Sequence, residues 1–348
     1  MSELSHVRSV AIVGCGNVAD GFDEDWRKRH IYSHATAISK LDQLTITACC
    51  DIDPARMERF ADKWEVDGRY TDYQKMVDDE KIDILVVATP TVAHYDNVLT
   101  ALSREIKVIF CEKPLTYTLK EGETLVKKAA EAGVLLFVNY MRRWDSFYVE
   151  CNDLLESGRI GRVETIVAYV DTALYMNSIH MLDMVLYFAG DVLSCTGFLD
   201  RVSDPRVVHG RTDRGGVALF HHKNGIISFV KATGEMRETR RAHYFELDIQ
   251  GTKGRLRILD DDIRYELYEF KESPQHVEMN ELHLVNTEYN KNKQERAVDA
   301  YRDILDCLNT GKDPVFSGKD SLGSIELVEM IYKSDSQGHT TLTRGERT

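Results

Sequence analysis

Five short runs rich in Val, Ile and Leu lie along residues 7–139, and a helical pattern fills each gap between them. The runs are Val7 to Val13, Leu44 to Cys50, Ile82 to Ala88, Lys107 to Cys111 and Val134 to Asn139. Such runs read as strands buried on both faces, which is the signature of a parallel sheet. Helical segments are expected near Thr36 to Lys40, Pro54 to Trp64, Tyr73 to Asp78, Val92 to Ser103 and Leu119 to Ala132, with Gly133 closing the last. Strand–helix alternation with short turns predicts a doubly wound α/β sheet.

The first strand runs directly into Gly14-Cys15-Gly16-Asn17-Val18-Ala19, which fits G-x-G-x-x-A. The first glycine permits a tight turn, the second leaves room for a pyrophosphate, and the small third residue lets helix and strand pack closely. A lone glycine pattern is weak, but here a strand precedes it and a βα pattern follows. Gly14, Gly16, Asn17 and Val18 are therefore candidate cofactor contacts. Asp51 ends the second strand. A carboxylate there accepts from ribose hydroxyls and repels a 2′-phosphate, which favours NAD over NADP; the alternative is a strand-end Asp that caps a turn. The gap between loop and Asp51 exceeds the usual ~20 residues. Gly21 to Tyr32, with its charge run Asp23 to Arg29, reads as an insertion, and such a run reads first as a solvated loop.

After Asn139 the pattern changes. A helix is expected from Phe147 to Ser157, a strand from Val163 to Val170 and a helix from Ile179 to Ala189. Strands follow near Val192 to Phe198, Gly216 to His221, Ile226 to Lys231, His243 to Gln250, Arg255 to Leu259 and Arg264 to Phe270. Lys223-Asn224-Gly225 is a hairpin signal. Two helices, Gln294 to Asn309 and Leu322 to Lys333, finish the chain. The expected division is a dinucleotide-binding domain, 1–143, and an α+β domain, 144–348, with a large open antiparallel sheet.

Bulk composition narrows the function classes. The 348 residues hold 44 Lys and Arg against 57 Asp and Glu, a formal charge of −13. That balance argues against a general nucleic-acid partner. No apolar run approaches the ~18 residues of a membrane span. The polar start, Met1 to Arg8, lacks a signal-peptide pattern, so a cytoplasmic protein is expected. Seven cysteines without a C-x-x-C pair read as reduced, buried thiols. No spacing of Cys, His or carboxylates suggests a metal site.

In an open α/β sheet, ligands bind beyond the carboxyl ends of the strands. Thr89-Pro90, Glu112-Lys113-Pro114 and Asn139 all fall there. A lysine beside a nicotinamide cation has its charged form disfavoured, so Lys113 suits proton exchange with a substrate hydroxyl; a surface lysine paired to Glu112 is the other reading. Arg142 and Arg143 follow the fifth strand and suit an anionic substrate group, or a purely structural role for Arg143. His180 falls at a helix start, where the dipole favours a neutral imidazole, and Asp183 lies one turn on. A histidine on an apolar helix also reads as a satisfied core residue.

Several of these motifs coincide with one family. Gly14 to Ala19, Ala88-Thr89-Pro90 with His94, Glu112-Lys113-Pro114, Arg143-Trp144, Leu155 to Gly161, His180 with Asp183, and Ile249 to Gly254 resemble the Gfo/Idh/MocA oxidoreductases, the glucose–fructose oxidoreductase and inositol dehydrogenase family. The resemblance covers nearly the whole chain in order. It implies a Rossmann domain, then an α+β domain whose sheet face serves contacts in a homodimer or homotetramer. It implies hydride transfer between NAD(P) and a secondary alcohol or ketone of a sugar, cyclitol or nucleotide sugar. Lys113 and His180 are carried over as catalytic, with Thr89, Pro90, His94, Glu112 and Lys113 on the cofactor side. Asn139, Arg142 and Arg143 are candidate substrate contacts, and a cis peptide is expected before Pro114. The family's Asp four residues before the histidine is absent: Met176 stands there, with Tyr175 and Asn177 as stand-ins. That departure keeps open a catalytically silent NAD sensor or partner subunit of the same fold.

Overall fold

The computed structural model describes residues 7–24, 31–208, 210–232, 245–275, 279–291 and 295–345. Residues 25–30 of the expected insertion, the first residues of the strand expected from His243, and Gln294 lie outside them. In chain order the elements of the first half are β1 (Arg8–Val13), α1 (His34–Ile38), β2 (Leu44–Cys50), α2 (Pro54–Trp64), β3 (Gly68–Tyr70), α3 (Tyr73–Asp79), β4 (Ile84–Val87), α4 (His94–Ala101), β5 (Val108–Cys111), α5 (Leu119–Ala132) and β6 (Leu135–Val138). The second half adds α6 (Ser146–Glu156), β7 (Val163–Val170), α7 (Ser178–Ala189), β8 (Val192–Leu199), β9 (Arg206–Val208), β10 (Arg211–Asp213), β11 (Gly216–His222), β12 (Ile227–Ala232), β13 (Phe245–Gly251), β14 (Gly254–Leu259), β15 (Arg264–Glu272) and β16 (Asn280–Tyr289). The chain ends with α8 (Arg296–Thr310), α9 (Gly318–Ser336) and β17 (Leu342–Thr343). Two compact units form: Met1–Asp145 with Asn292–Leu322, and Ser146–Lys291 with Gly323–Thr348.

The first unit holds a six-stranded parallel sheet of order β3-β2-β1-β4-β5-β6. This is the doubly wound order, with its reversal point between β1 and β4. All four residues of β4 and of β5 are buried, which explains their unbroken apolar runs. Local signals set the helices. Asp53 caps α2 by accepting from the amides of Ala55 (3.0 Å) and Arg56 (3.4 Å), with Pro54 as first helical residue. Gly133 ends α5 in the left-handed conformation at φ 67°.

The segment 292–322 completes this unit's core. Tyr301 of α8 packs edge-on against Phe110 of β5, with ring centroids 5.4 Å apart, and Trp144 approaches Phe110 at 6.0 Å. Trp144 Nε1 donates to Asp303 at 3.0 Å, so the indole's polar end is satisfied although the ring is buried. The start of α9 lies earlier than the sequence pattern suggested. Ser317 and Asp320 form a reciprocal cap, with Asp320 accepting from the Ser317 amide at 2.8 Å and Ser317 Oγ from the Asp320 amide at 3.4 Å.

The second unit is built on a nine-stranded sheet of order β16-β15-β14-β13-β7-β12-β11-β8-β17. Its pairs are antiparallel except β7 with β12. Helix α7 packs on β7 and β12. Residues alternate as a half-covered sheet requires: Ile166, Ala168, Val170, Val230 and Leu247 are buried, while Tyr169, Leu219 and Ile227 are exposed. The expectation of an α/β domain followed by an α+β domain with an open, mostly antiparallel sheet therefore holds. No helix among the described residues is long and apolar enough to cross a membrane.

Candidate functional site

The glycine loop sits where β1 ends. The Gly14 amide donates to Cys50 O at 2.8 Å, and φ at Gly14 is +91°. A Cβ there would lie 2.6 Å from Ala88 O and 2.7 Å from Thr89 N. Backbone hems this position in, so glycine is obligatory. A Cβ on Gly16, by contrast, would meet no atom within 4 Å. The second glycine thus faces open space at the end of the strand, as a pyrophosphate cradle requires. Ala19 is fully buried, while Asn17 is exposed and Val18 half-buried.

Asp51 is buried and bridges to this loop. Its Oδ2 accepts from the Cys15 amide at 2.8 Å and its Oδ1 from the Asp53 amide at 2.9 Å. Arg56 Nη1 approaches both oxygens, at 3.5 and 3.4 Å. Asp51 therefore does cap its turn, and also braces the glycine loop. Of the roughly four acceptor positions of a carboxylate, the two amides take two and the long, shared Arg56 contact covers the rest, so a ribose hydroxyl would bind by displacing Arg56. Across the expected insertion, Asp23 ties the far side to α1: its carboxylate accepts from the amides of Tyr32 and Ser33, each at 3.0 Å.

The ends of β4, β5 and β6 bring Thr89, Pro90, Glu112, Lys113 and Asn139 to the same edge of the sheet, because β5 pairs in parallel register with both neighbours. His94 is 1% exposed and clamps two of the loops, with Nε2 2.8 Å from Thr89 O and Nδ1 2.9 Å from Pro114 O. Burial pushes its pKa down, against the pull of the two carbonyls, so the ring is neutral and donates to one of them at a time. The Lys113–Pro114 peptide is cis, as the resemblance implies.

Glu112 is the hub. Its Oε1 accepts from Asn139 Nδ2 at 2.7 Å and lies 3.0 Å from His34 Nε2; its Oε2 accepts from the Lys113 amide at 3.2 Å. Burial pushes the carboxyl's pKa up. The His34 and Asn139 bonds and the Lys113 charge outweigh burial, and the group stays ionised. His34 Nδ1 in turn meets the Tyr301 hydroxyl at 2.7 Å. Asn139 Oδ1 is buried with no hydrogen-bond partner among the described residues. Sequence reasoning missed His34 and Tyr301, whose partners lie 78 and 267 residues away along the chain.

The arginines differ. Arg142 is buried, and Arg143 stacks on the Phe316 ring with its guanidinium carbon 4.8 Å from the centroid. That contact lies within the first unit.

On the second unit, Asn177 occupies the N-cap position of α7 without a side-chain cap, and His180 lies in the first turn, its amide 3.0 Å from Asn177 O. His180 and Asp183 are buried. Tyr175 precedes them, buried and stacked on Tyr332, with Arg211 over its face at 5.4 Å. A carboxylate that the sequence did not single out lies beside Tyr175. Asp213 accepts from the Tyr175 amide at 3.2 and 3.1 Å and from Tyr332 Oη at 3.4 Å.

Burial raises the Asp213 pKa to about 6, the bonds from Tyr175 and Tyr332 only partly offsetting it. The folded value exceeds the unfolded one, about 3.9, so the folded state holds the extra proton between about pH 4 and 6. Stability from this group is present below that window and is lost as pH rises through it, by roughly 2–3 kcal/mol at 1.36 kcal/mol per unit. Asp213→Asn removes this slope. Urea midpoints of wild type minus variant are expected to fall between about pH 4 and 7; parallel curves would contradict it.

Among the described residues no group of three or more His, Cys, Asp or Glu side chains is arranged to hold a metal. Residues 8–140 match the family model GFO_IDH_MocA, described as oxidoreductase family, NAD-binding Rossmann fold. Residues 170–343 match that family's C-terminal alpha/beta domain. A D-apiose dehydrogenase of Paraburkholderia graminis is 26% identical, over 95% of this chain and 88% of its own. A myo-inositol 2-dehydrogenase of Thermotoga maritima is 22% identical, over 86% and 92%. The WlbA dehydrogenase of Bordetella pertussis, solved with NADH and UDP-GlcNAcA, shares the fold at a TM-score of 0.80 and 19% identity, over 98% and 99%.

Proposed function

The chain belongs to the Gfo/Idh/MocA oxidoreductase family, and from that membership we propose that it is an NAD-dependent dehydrogenase or reductase of a secondary alcohol in a sugar or cyclitol. The observation that carries this reading is the strand-end cluster, an oriented buried carboxylate at Glu112 beside Lys113 and an orphan acceptor at Asn139. The residues fit the cofactor: Gly16 opens onto free space, and Asp51 offers acceptors to a ribose that displaces Arg56. Gly14, Gly16, Asn17 and Val18 would hold the pyrophosphate, Asp51 the adenosine ribose, and Thr89, Pro90, Glu112 and Lys113 the nicotinamide half, with His94 as the clamp on their loops. When bound, NAD supplies the carbon that accepts or returns the hydride.

Lys113 is the group that takes the hydroxyl proton during oxidation and returns it during reduction. Asn139 Oδ1 accepts from a substrate hydroxyl. On the second unit, His180 is a second proton-handling side chain, and Tyr175 and Asn177 are its candidate companions. Arg142 is reserved for an anionic substrate group; the Phe316 stack weighs against that role for Arg143.

The relatives' names point to the substrate class: D-apiose, myo-inositol and, among shared folds, levoglucosan. The test is NAD⁺ reduction with a panel of these compounds, and NADH oxidation with keto-sugars. Turnover of one class supports the reading. NADH binding without turnover across the panel supports the silent sensor, which the missing carboxylate at Met176 favours.

Copies associate through the open sheet as a homodimer or homotetramer. Its outer face carries Phe198, Val217, Leu219, Phe229, Val167 and Tyr169 side by side, and Leu219, Tyr169 and Phe198 are 38, 42 and 47% exposed. A monomer in sedimentation at micromolar concentration would contradict this part. Seven buried free thiols suit a cytoplasmic, reducing setting, and fractionation of the native host would test it.

A further inference from the structure

Four side chains from separate parts of the first unit form one buried chain of hydrogen bonds: Tyr301, His34, Glu112 and Asn139. They are 0, 3, 8 and 4% exposed. A carboxylate only accepts, so the His34 nitrogen facing Glu112 carries a proton, and the Tyr301 hydroxyl supplies the partner for the other nitrogen. Burial pushes the Tyr301 phenol well above its usual range, so it keeps its proton. The imidazole is held edge-on to Phe110, with centroids 5.3 Å apart, and can pivot little. The same logic fixes the Asn139 amide. Its nitrogen must face Glu112, which leaves Oδ1 as the end directed away from the carboxylate.

We propose that His34 and Tyr301 are positioning residues of this site: they hold Glu112 as an oriented carboxylate, which in turn sets the Asn139 amide and the charge beside Lys113. The proposal rests on the reading of Lys113 as the proton-transfer residue. The titratable groups facing Glu112 are His34, Lys113, Tyr301, the buried Cys111 thiol and, further off, His94.

The charge on Glu112 favours the ammonium form of Lys113. His34→Leu removes the donor that keeps Glu112 ionised. The carboxyl's pKa then rises, and Lys113 loses part of its neighbouring negative charge. The readout is competitive acetylation of the full-length chain with limiting acetic anhydride, followed peptide by peptide by mass spectrometry across pH. This requires no substrate. In His34→Leu the reactivity of Lys113 at neutral pH is expected to rise about tenfold, which corresponds to one pKa unit.

His34→Gln keeps a donor toward Glu112 and returns the profile toward wild type, whereas Glu112→Gln reproduces the His34→Leu profile. Tyr301→Phe, which keeps the ring, moves it less and in the same direction. It also serves if His34→Leu fails to fold. An unchanged Lys113 profile in His34→Leu, or in Tyr301→Phe and Glu112→Gln if the leucine variant does not fold, overturns the proposal. Failure of the underlying reading looks different: Lys113→Ala would then turn over, whatever the acetylation profile shows.

Discussion

Lys113→Ala is expected to lower kcat by about 10²–10⁴-fold, the usual contribution of a positioned acid–base group, while NADH affinity stays near wild type. The separation follows from where the lysine sits. It lies at the end of β5, whereas the pyrophosphate cradle lies at the end of β1, and the bonds that brace that cradle run through Gly14, Cys50 and Asp51 without involving Lys113. Removal of the lysine also leaves the buried Glu112 without a cation but still bonded to His34 and Asn139. The variant should therefore fold, and thermal unfolding near the wild-type midpoint is part of the expectation. Loss of kcat together with a large loss of NADH binding would instead make holding the nicotinamide half, not proton transfer, the main role of Lys113.

The second large effect separates the two glycines of the loop. Gly14→Ala places a methyl 2.6 Å from Ala88 O at a φ of +91°. Neither the carbonyl nor the strand behind it can retreat without disturbing the pairing of β1 and β4. The strained backbone alone costs about 1–3 kcal/mol, and the clash adds to it. A drop in Tm of about 5 °C or more is expected, with NADH affinity lost alongside. Gly16→Ala meets no protein atom within 4 Å, so Tm should hold while NADH affinity falls. Wild-type NADH affinity in Gly16→Ala would refute the assignment of that open space to a pyrophosphate. At the other end of the cofactor, Asp51→Asn should narrow the preference for NAD over NADP by about tenfold, the value of a hydrogen bond to a charged group.

Local chemistry made much of this molecule legible in its sequence. Strands buried on both faces announce themselves as unbroken apolar runs, and β1, β2, β4, β5 and β6 all lie within the runs read at the outset. The glycine loop, Asp51 and the Glu112-Lys113-Pro114 turn are contiguous motifs whose context is one strand and one turn. Edge strand β16 escaped notice because its apolar residues do not follow its burial: Leu282 and Leu284 are exposed, while Glu281 and His283 lie on the half-covered face. The cap at Ser317 and Asp320 was readable as a Ser-x-x-Asp box, yet the apolar stripe begins later and drew the helix start to Leu322.

The hub around Glu112 was hidden for another reason. His34 follows the insertion and Tyr301 lies in a segment that returns to the first unit from the far end of the chain. Neither stands at a spacing from Glu112 that any motif encodes. Tyr301 lies on α8 among buried apolar neighbours such as Val298, Ile304 and Leu305, a pattern that says it is buried, not what its hydroxyl meets. Asp213 was missed for the same reason: its partners, the Tyr175 amide and the Tyr332 hydroxyl, come from a loop and a helix distant in sequence.

The central claim is that a strand-end lysine beside a buried, ionised carboxylate moves the proton while NAD takes or gives the hydride. Its most direct test is the initial rate of NADH formation by wild type and Lys113→Ala, at saturating NAD⁺, on whichever sugar or cyclitol of the panel the wild type oxidises. The account predicts steady NADH formation by wild type and a rate about 10²–10⁴-fold lower in the variant, with NADH still bound by both. Comparable rates in the two proteins would contradict it.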